Sequence, residues 1–141
     1  MAEPHRPGTR WRRGACHCRA VQFEVLAPQQ VEVEDCNCSI CRRTGFLHLI
    51  VPLTSFRLLS GEDALTSYRF NTGAANHTFC KVCGVKGFYT PRSNPDGVSV
   101  NARCFDDGEA PELLVTPFDG VNWEANAASL AHKTAQPISK P

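Results

Sequence analysis

The chain has 141 residues, a formal net charge of +1, 21% charged residues and 42% hydrophobic residues. That length suits one domain, and so small a net charge argues against nucleic acid or an anionic membrane as a partner. The longest unbroken aliphatic run covers only residues 49–51. A spanning helix needs about 20 apolar residues, so the sequence excludes a membrane span.

Residues 1–13 predict a basic flexible arm, because four arginines there accompany Pro4, Pro7 and Gly8. Beyond the arm, hydrophobic residues alternate with polar ones or form short runs between Gly-, Asn- and Asp-rich turns. Predicted strands cover residues 21–25, 31–34, 46–51, 56–59, 66–70, 88–90 and 98–102. Asn122 and the alanine-rich stretch 125–131 then predict one short helix. The sequence therefore predicts an all-β domain over 14–133 with a short C-terminal helix, followed by a flexible tail, 134–141.

The eight cysteines are the unusual part of the composition. The N-terminus shows no apolar stretch of the signal-peptide type, which favours a cytoplasmic location and metal binding over disulfides. Seven cysteines lie in three short motifs, and Cys104 stands alone. The motifs are CxC (Cys16, Cys18), CxCxxC (Cys36, Cys38, Cys41) and CxxC (Cys80, Cys83).

The ligand count indicates two different metal sites. Seven thiolates form one set of four and one set of three, and thiolates at such spacing most often bind Zn²⁺. A site with four cysteines is closed and structural, whereas a site with three leaves one position for water or substrate. Alternatively, Cys104 or His48 completes the second set, which makes both sites structural. Spacing alone leaves both alternatives open.

Three blocks together resemble the glutathione-dependent formaldehyde-activating enzymes, a family that also contains centromere protein V. The blocks are GACHC with AVQFEV at residues 14–25, CNCSICRR at 36–43 and HTFCKVCG at 77–84. The stretches 48–52 and 88–95 look closest to the centromere protein V branch. The resemblance covers residues 12–133, and one departure is Arg19, which stands where the family usually has glycine.

The resemblance implies an Mss4-like fold of small coiled β-sheets stapled by two Zn²⁺ ions per chain. It implies a structural zinc on Cys16, Cys18, Cys80 and Cys83. It further implies a second, catalytic zinc on the three cysteines Cys36, Cys38 and Cys41.

The activity implied by the resemblance is that of a carbon–sulfur lyase, which joins glutathione to formaldehyde as S-hydroxymethylglutathione. The partners are then a small-molecule thiol and an aldehyde. We expect His48 or Arg42 to donate the proton in catalysis, and Arg42, Arg43 and Arg92 to bind the carboxylates of glutathione. His77, which precedes a CxxC motif, is expected to support the site by a hydrogen bond without binding metal.

The alternative function is a non-catalytic, zinc-stabilised protein-binding module of the centromere protein V type. The basic arm and the two branch-like stretches favour this alternative, whereas the set of three cysteines favours the enzyme. The sequence leaves the oligomeric state open, with a homodimer as one option.

Overall fold

The computed structural model describes residues 6–70 and 72–134, which form ten strands and two short α-helices. The strands in chain order are β1 (Arg10–Ala15), β2 (Gln22–Ala27), β3 (Gln30–Cys36), β4 (Leu47–Pro52), β5 (Phe56–Ser60), β6 (Leu65–Tyr68), β7 (His77–Cys80), β8 (Phe88–Tyr89), β9 (Gly97–Asn101) and β10 (Glu112–Phe118). Helix α1 (Ser39–Thr44) lies between β3 and β4, and α2 (Trp123–Asn126) follows β10.

The strands form three small sheets. The first contains β1, β2 and β5 in that order, all antiparallel. The second contains five strands in the order β10–β3–β4–β9–β8, in which only the β10–β3 pair is parallel. The third is the antiparallel pair β6–β7. The predicted class, small sheets with a short C-terminal helix, is confirmed.

The main core lies between the first two sheets. Alternation along β2 turns Phe23 and Val25 inward, where they pack with valines of the second sheet such as Val33 and Val100. The Phe23 ring is fully buried and lies 5.8 Å from the rings of both Phe56 and Phe88. Burial of these side chains holds the two sheets together.

The N-terminal arm is shorter than the sequence predicts, because β1 already begins at Arg10. Arg12, inside the predicted arm, is 5% exposed. Its guanidinium donates hydrogen bonds to the carbonyl oxygens of Ala27, Gly8 and Glu109 at 2.8–3.3 Å. A charged side chain is tolerated there because backbone oxygens satisfy its donors. Residues 10–13 therefore belong to the first sheet.

The helices differ from the prediction in two respects. Helix α1 is additional, and the thiol of Cys38 caps it by accepting a hydrogen bond from the backbone N–H of Cys41. The predicted C-terminal helix is α-helical only over α2, and it continues as a 3-10 helix over Ala127–Lys133. Among the described residues, no helix has the length and apolar character needed to cross a membrane. The predicted tail lies outside the described residues except for Thr134, which is buried.

Hydrogen bonds from Asn94 hold the C-terminal segment against the rest of the domain, and this residue is only 1% exposed. Its amide donates to the Leu130 carbonyl and to Thr134 Oγ1, each at 2.9 Å. We expect Asn94→Ala to lower the free energy of unfolding by about 2 kcal/mol, because buried acceptors lose their donors. Urea denaturation measures this effect. Exposed Ser129→Ala is the control, with a change within roughly 0.5 kcal/mol; equal midpoints for both variants would contradict the expectation.

Candidate functional site

The first cysteine cluster joins two distant turns of the chain. Cys16 and Cys18 follow β1, whereas Cys80 ends β7 and Cys83 lies in the turn behind it. The four Sγ atoms lie within 4.8 Å of one another, and both the Cys16–Cys18 and the Cys18–Cys80 distances are 3.7 Å. These four residues are therefore placed to surround one metal ion.

The spacing of these sulfur atoms fits a tetrahedral metal ion. With Zn–S bonds of about 2.3 Å, the edges of a tetrahedral site are about 3.8 Å. All eight cysteines are free thiols, so no disulfide competes for them. The turn after Cys18 is tight, because Arg19 takes a φ of +67°, and it is the only non-glycine residue with positive φ in the described part of the chain. That conformation explains why glycine suits this position better than arginine.

The second cluster is local in sequence. Cys36 ends β3, Cys38 caps α1 and Cys41 lies in its first turn. Their Sγ atoms lie within 4.8 Å of one another, and within the described ranges no fourth ligand joins them. In particular, neither Cys104 nor His48 is part of this cluster. Of the two alternatives left open above, the geometry favours three cysteine ligands and one open position.

A turn behind β10 closes over the second cluster. Asn37, between two of the cysteines, donates to Asp119 Oδ1 at 3.1 Å and accepts from the Val121 backbone N–H at 3.0 Å. Gly120 lies between Asp119 and Val121 in the chain and is buried. A Cβ atom on Gly120 would lie 2.3 Å from Cys36 Sγ. The close approach of turn and cluster therefore requires glycine.

The second cluster opens into a cavity of about 370 Å³, which is within the usual size range of small-molecule sites. Its walls are largely hydrophobic and aromatic, and they include Ile50, Phe70, Tyr89, Phe118, Trp123 and Leu130. The titratable side chains of the wall other than the thiols and Tyr89 are Glu34, His48, His77 and Arg92, among the described residues. Three thiols thus share one cavity with a small set of charged and polar groups.

His48 lies against the second cluster, but both ring nitrogens already have partners. Nε2 is 3.1 Å from Cys41 Sγ, and Nδ1 is 2.9 Å from Ser99 Oγ and 3.3 Å from the Tyr89 hydroxyl. Burial lowers the pKa of His48 to about 3, so the ring is neutral at pH 7. This geometry suits a residue that orients Cys41 better than one that donates a proton to substrate.

Only one of the three arginines predicted to bind glutathione reaches the cavity. Arg92 lines it, stacks 3.7 Å above the Trp123 ring and pairs with Glu124. Arg42 and Arg43 are exposed on α1 and are not part of the cavity wall. The structure therefore does not bring Arg42 to the reacting position either, because the α1 residues that line the cavity are Ser39, Ile40 and Cys41.

Glu34 adds a buried carboxylate to the cavity wall. Its Oε2 pairs with Lys133 Nζ at 2.8 Å, whereas Oε1 has no hydrogen-bond partner among the described residues. Burial raises the pKa of Glu34, and the hydrogen bond from Lys133 acts in the opposite direction. An unpaired buried oxygen costs free energy, so it is a natural acceptor for a ligand donor.

The thiols of the second cluster influence one another strongly. Hydrogen bonding with Cys36, and next with Cys41, lowers the pKa of Cys38, whereas the same network raises the pKa of Cys41. A shared network of this kind favours a thiolate, which is the form that binds metal and acts as a nucleophile.

Sequence reasoning missed Lys86, which is 7% exposed and places Nζ 2.7 Å from Nδ1 of His77. A single lysine between Val85 and Gly87 carries no motif, and its type usually indicates an exposed position. His77 is in neither cysteine cluster, and its hydrogen-bond partner is Lys86 rather than a cysteine.

Comparison with known proteins gives consistent matches. Residues 11–117 match the family model of the glutathione-dependent formaldehyde-activating enzymes. A Halomonas elongata protein, provisionally named as such an enzyme, is 52% identical over 32 residues, which are 23% of this chain. That match spans 20% of the Halomonas protein. A crystal structure of a Rhodobacter sphaeroides protein is similar with a TM-score of 0.62 and 36% identity, covering 74% of this chain and 99% of that one.

Proposed function

The chain belongs to the glutathione-dependent formaldehyde-activating enzyme family, and on that basis we propose that its cavity joins glutathione to formaldehyde as S-hydroxymethylglutathione. One observation carries the proposal, namely that three cysteines, with no fourth ligand among the described residues, open into a cavity. Such a reaction is formally that of a carbon–sulfur lyase run in the direction of synthesis.

We assign a structural Zn²⁺ to the first cluster and a second Zn²⁺ to Cys36, Cys38 and Cys41. When bound there, the second ion supplies a position that keeps a thiol in its ionised form. A free thiol with a pKa near 8.5 is only about 3% ionised at pH 7. The chain itself binds and orients the two reactants, and its apolar walls exclude water.

The charged groups of the cavity suit the ends of glutathione. Arg92 is the one arginine among the described residues that lines the cavity, and its planar guanidinium can bind a carboxylate with two hydrogen bonds. Glu34 Oε1 is an open acceptor for the ammonium group. These contacts would hold the thiol in one orientation against the aldehyde, which reduces the entropic part of the barrier.

Exchange NMR of glutathione with formaldehyde tests the proposal. We expect the metal-loaded protein to accelerate formation of S-hydroxymethylglutathione above the spontaneous rate. Cys38→Ser should lose this acceleration and keep the fold, because the first cluster is untouched. Cys104→Ser is the matched control, since Cys104 belongs to neither cluster, and it should retain full acceleration.

Two outcomes would contradict the proposal. A folded Cys38→Ser variant with wild-type exchange rates would remove the second cluster from the chemistry. A wild-type protein without acceleration would favour the alternative, a binding module of the centromere protein V type. That alternative and the cytoplasmic location stay predictions. The branch-like stretch 88–95 supports the enzyme as well, because Tyr89, Pro91, Arg92 and Ser93 line the cavity.

A further inference from the structure

A buried lysine lies behind the cavity wall without a carboxylate to neutralise it. Lys86 Nζ is 3.8 Å from the centroid of the Tyr89 ring and 4.9 Å from that of Phe46. Among residues 6–70 and 72–134, no aspartate or glutamate forms an ion pair with it. Burying an ammonium group costs free energy unless its N–H donors form hydrogen bonds. The hydrogen bond from Lys86 to His77 is therefore important for keeping this charge buried.

That hydrogen bond determines the proton position on His77. An ammonium group has three donors and no acceptor, so Nδ1 of His77 must accept the hydrogen bond. The neutral imidazole then carries its proton on Nε2. Stacking fixes the ring, because Phe70 and Tyr89 lie on it at centroid distances of 5.2 and 4.7 Å.

The orientation of the pair relative to the cavity gives it a chemical use. His77 lines the cavity, Lys86 does not, and Nδ1 is the ring nitrogen that faces Lys86. Nε2 is the ring nitrogen that remains for a hydrogen bond to a ligand in the cavity, and no described residue forms a hydrogen bond with it. An N–H donor of fixed tautomer thus shares the cavity with the three cysteines of the second cluster, where His48 has no free nitrogen.

We propose that Lys86 and His77 form a proton relay that delivers a proton to the aldehyde oxygen as the thiol adds. The relay rests on the proposed function, since that reaction creates the oxygen to be protonated. His77 is then the catalytic acid, and Lys86 acts through it.

The relay balances without any oxidant or reductant. The sulfur electron pair forms the carbon–sulfur bond, and the carbonyl π pair moves to oxygen. Nε2 of His77 gives its proton to that oxygen while Nζ of Lys86 gives one to Nδ1, so the imidazole stays neutral throughout. Lys86 is left as an amine and His77 carries its proton on Nδ1. The starting state returns when Nε2 takes up a proton equivalent to the one that the thiol lost on ionisation and Nδ1 gives its proton back to Nζ.

The electrostatics of the pair support this assignment. Burial lowers the pKa of Lys86 to about 8, and the charges of Cys41 and Cys38 oppose that shift. Burial, and next the charge of Lys86, lower the pKa of His77 to about 4. At pH 7 Lys86 therefore still holds its proton but releases it more easily than an exposed lysine, and His77 is neutral.

The tautomer of His77 is the first test, because it does not depend on activity. ¹⁵N NMR of the histidine-labelled, metal-loaded full chain distinguishes Nδ1–H, Nε2–H and charged rings, with His77→Gln assigning the signal among the five histidines. We expect the Nε2–H form at pH 7, and a mixture of tautomers in Lys86→Met. A wild-type His77 that is charged or protonated on Nδ1 would overturn the relay.

The exchange kinetics are the second test. Lys86→Met should lower kcat by about 100-fold, the lower end of general acid catalysis, with little change in KM. Lys86→Arg keeps a positive donor next to Nδ1 but does not release a proton, so it should preserve the tautomer and still lose kcat. Wild-type kcat in Lys86→Arg would overturn the relay and leave the proposed function intact. No acceleration by the wild-type protein would overturn both.

Discussion

Cys80→Ser is expected to leave the protein unfolded at 25 °C. Cys80 is 1% exposed and is buried with Cys16, Val21 and Ala64 in the smaller of the two hydrophobic clusters. Structural Zn²⁺ contributes roughly 10–16 kcal/mol in zinc-finger peptides, whereas a whole domain is stable by about 5–15 kcal/mol. Loss of one of four ligands removes a share of this free energy that we expect to be comparable with the stability of the whole domain.

Circular dichroism and metal analysis measure this effect together. The variant should show no cooperative thermal transition and should not hold an ion in the first cluster. Cys104→Ser, a cysteine outside both clusters, should melt close to the wild-type temperature. A Cys80→Ser protein that melts like the wild type would show that the first cluster is dispensable for the fold. Chelation of both ions from the wild-type protein should reproduce the unfolded state.

Gly120→Ala is expected to weaken metal binding at the second cluster and leave the first cluster intact. The new Cβ would lie 2.3 Å from Cys36 Sγ and 3.1 Å from Cys38 Cβ, both too close for real contacts. The turn cannot simply retreat, because Asn37 binds it on both sides through Asp119 and Val121. Displacing Cys36 should weaken the binding of the second ion by about 10–100-fold, the loss of metal affinity that is typical when groups that orient a ligand are changed.

Metal titration against a chromophoric chelator measures this affinity. We expect one tightly held ion per chain in the variant, a folded protein and no acceleration of the exchange reaction. Val121→Ala is the matched control, because this neighbouring side chain is 70% exposed and the change removes atoms without adding any. Two tightly bound ions in Gly120→Ala would mean that the turn yields and that Cys36 keeps its position.

The cysteine sets and most strands could be predicted from the sequence because their signals are local. Motifs such as CxC place ligands within one turn, and alternation along residues 21–25 marks the strand that buries Phe23 and Val25. The pairing of the first CxC with the distant CxxC did not follow from spacing; the family resemblance supplied it, and the structure brings those cysteines together.

Features that depend on distant contacts could not be predicted. Arginines at 10, 12 and 13 suggest a solvated arm, but Arg12 is buried in a sheet, where the distant carbonyl groups of Ala27 and Glu109 accept its hydrogen bonds. The burial of Lys86 and the closeness of Gly120 to Cys36 depend likewise on segments far away in sequence. Local pattern contains no information on such contacts, so the cavity, and the choice of Arg92 over Arg42 and Arg43, required the three-dimensional structure.

The separation of the cluster ligands along the chain has a consequence for folding. Cys18 and Cys80 are 62 residues apart, whereas the second cluster fits within residues 36–41. Closing the longer loop costs about 4 kcal/mol of chain entropy, but the short segment closes at little cost and can capture an ion while still unfolded. Binding to the unfolded chain cancels part of an ion's stabilising effect. During synthesis the second cluster can therefore load first, and arrival of the other ion, after residue 83 emerges, commits the chain to its native topology.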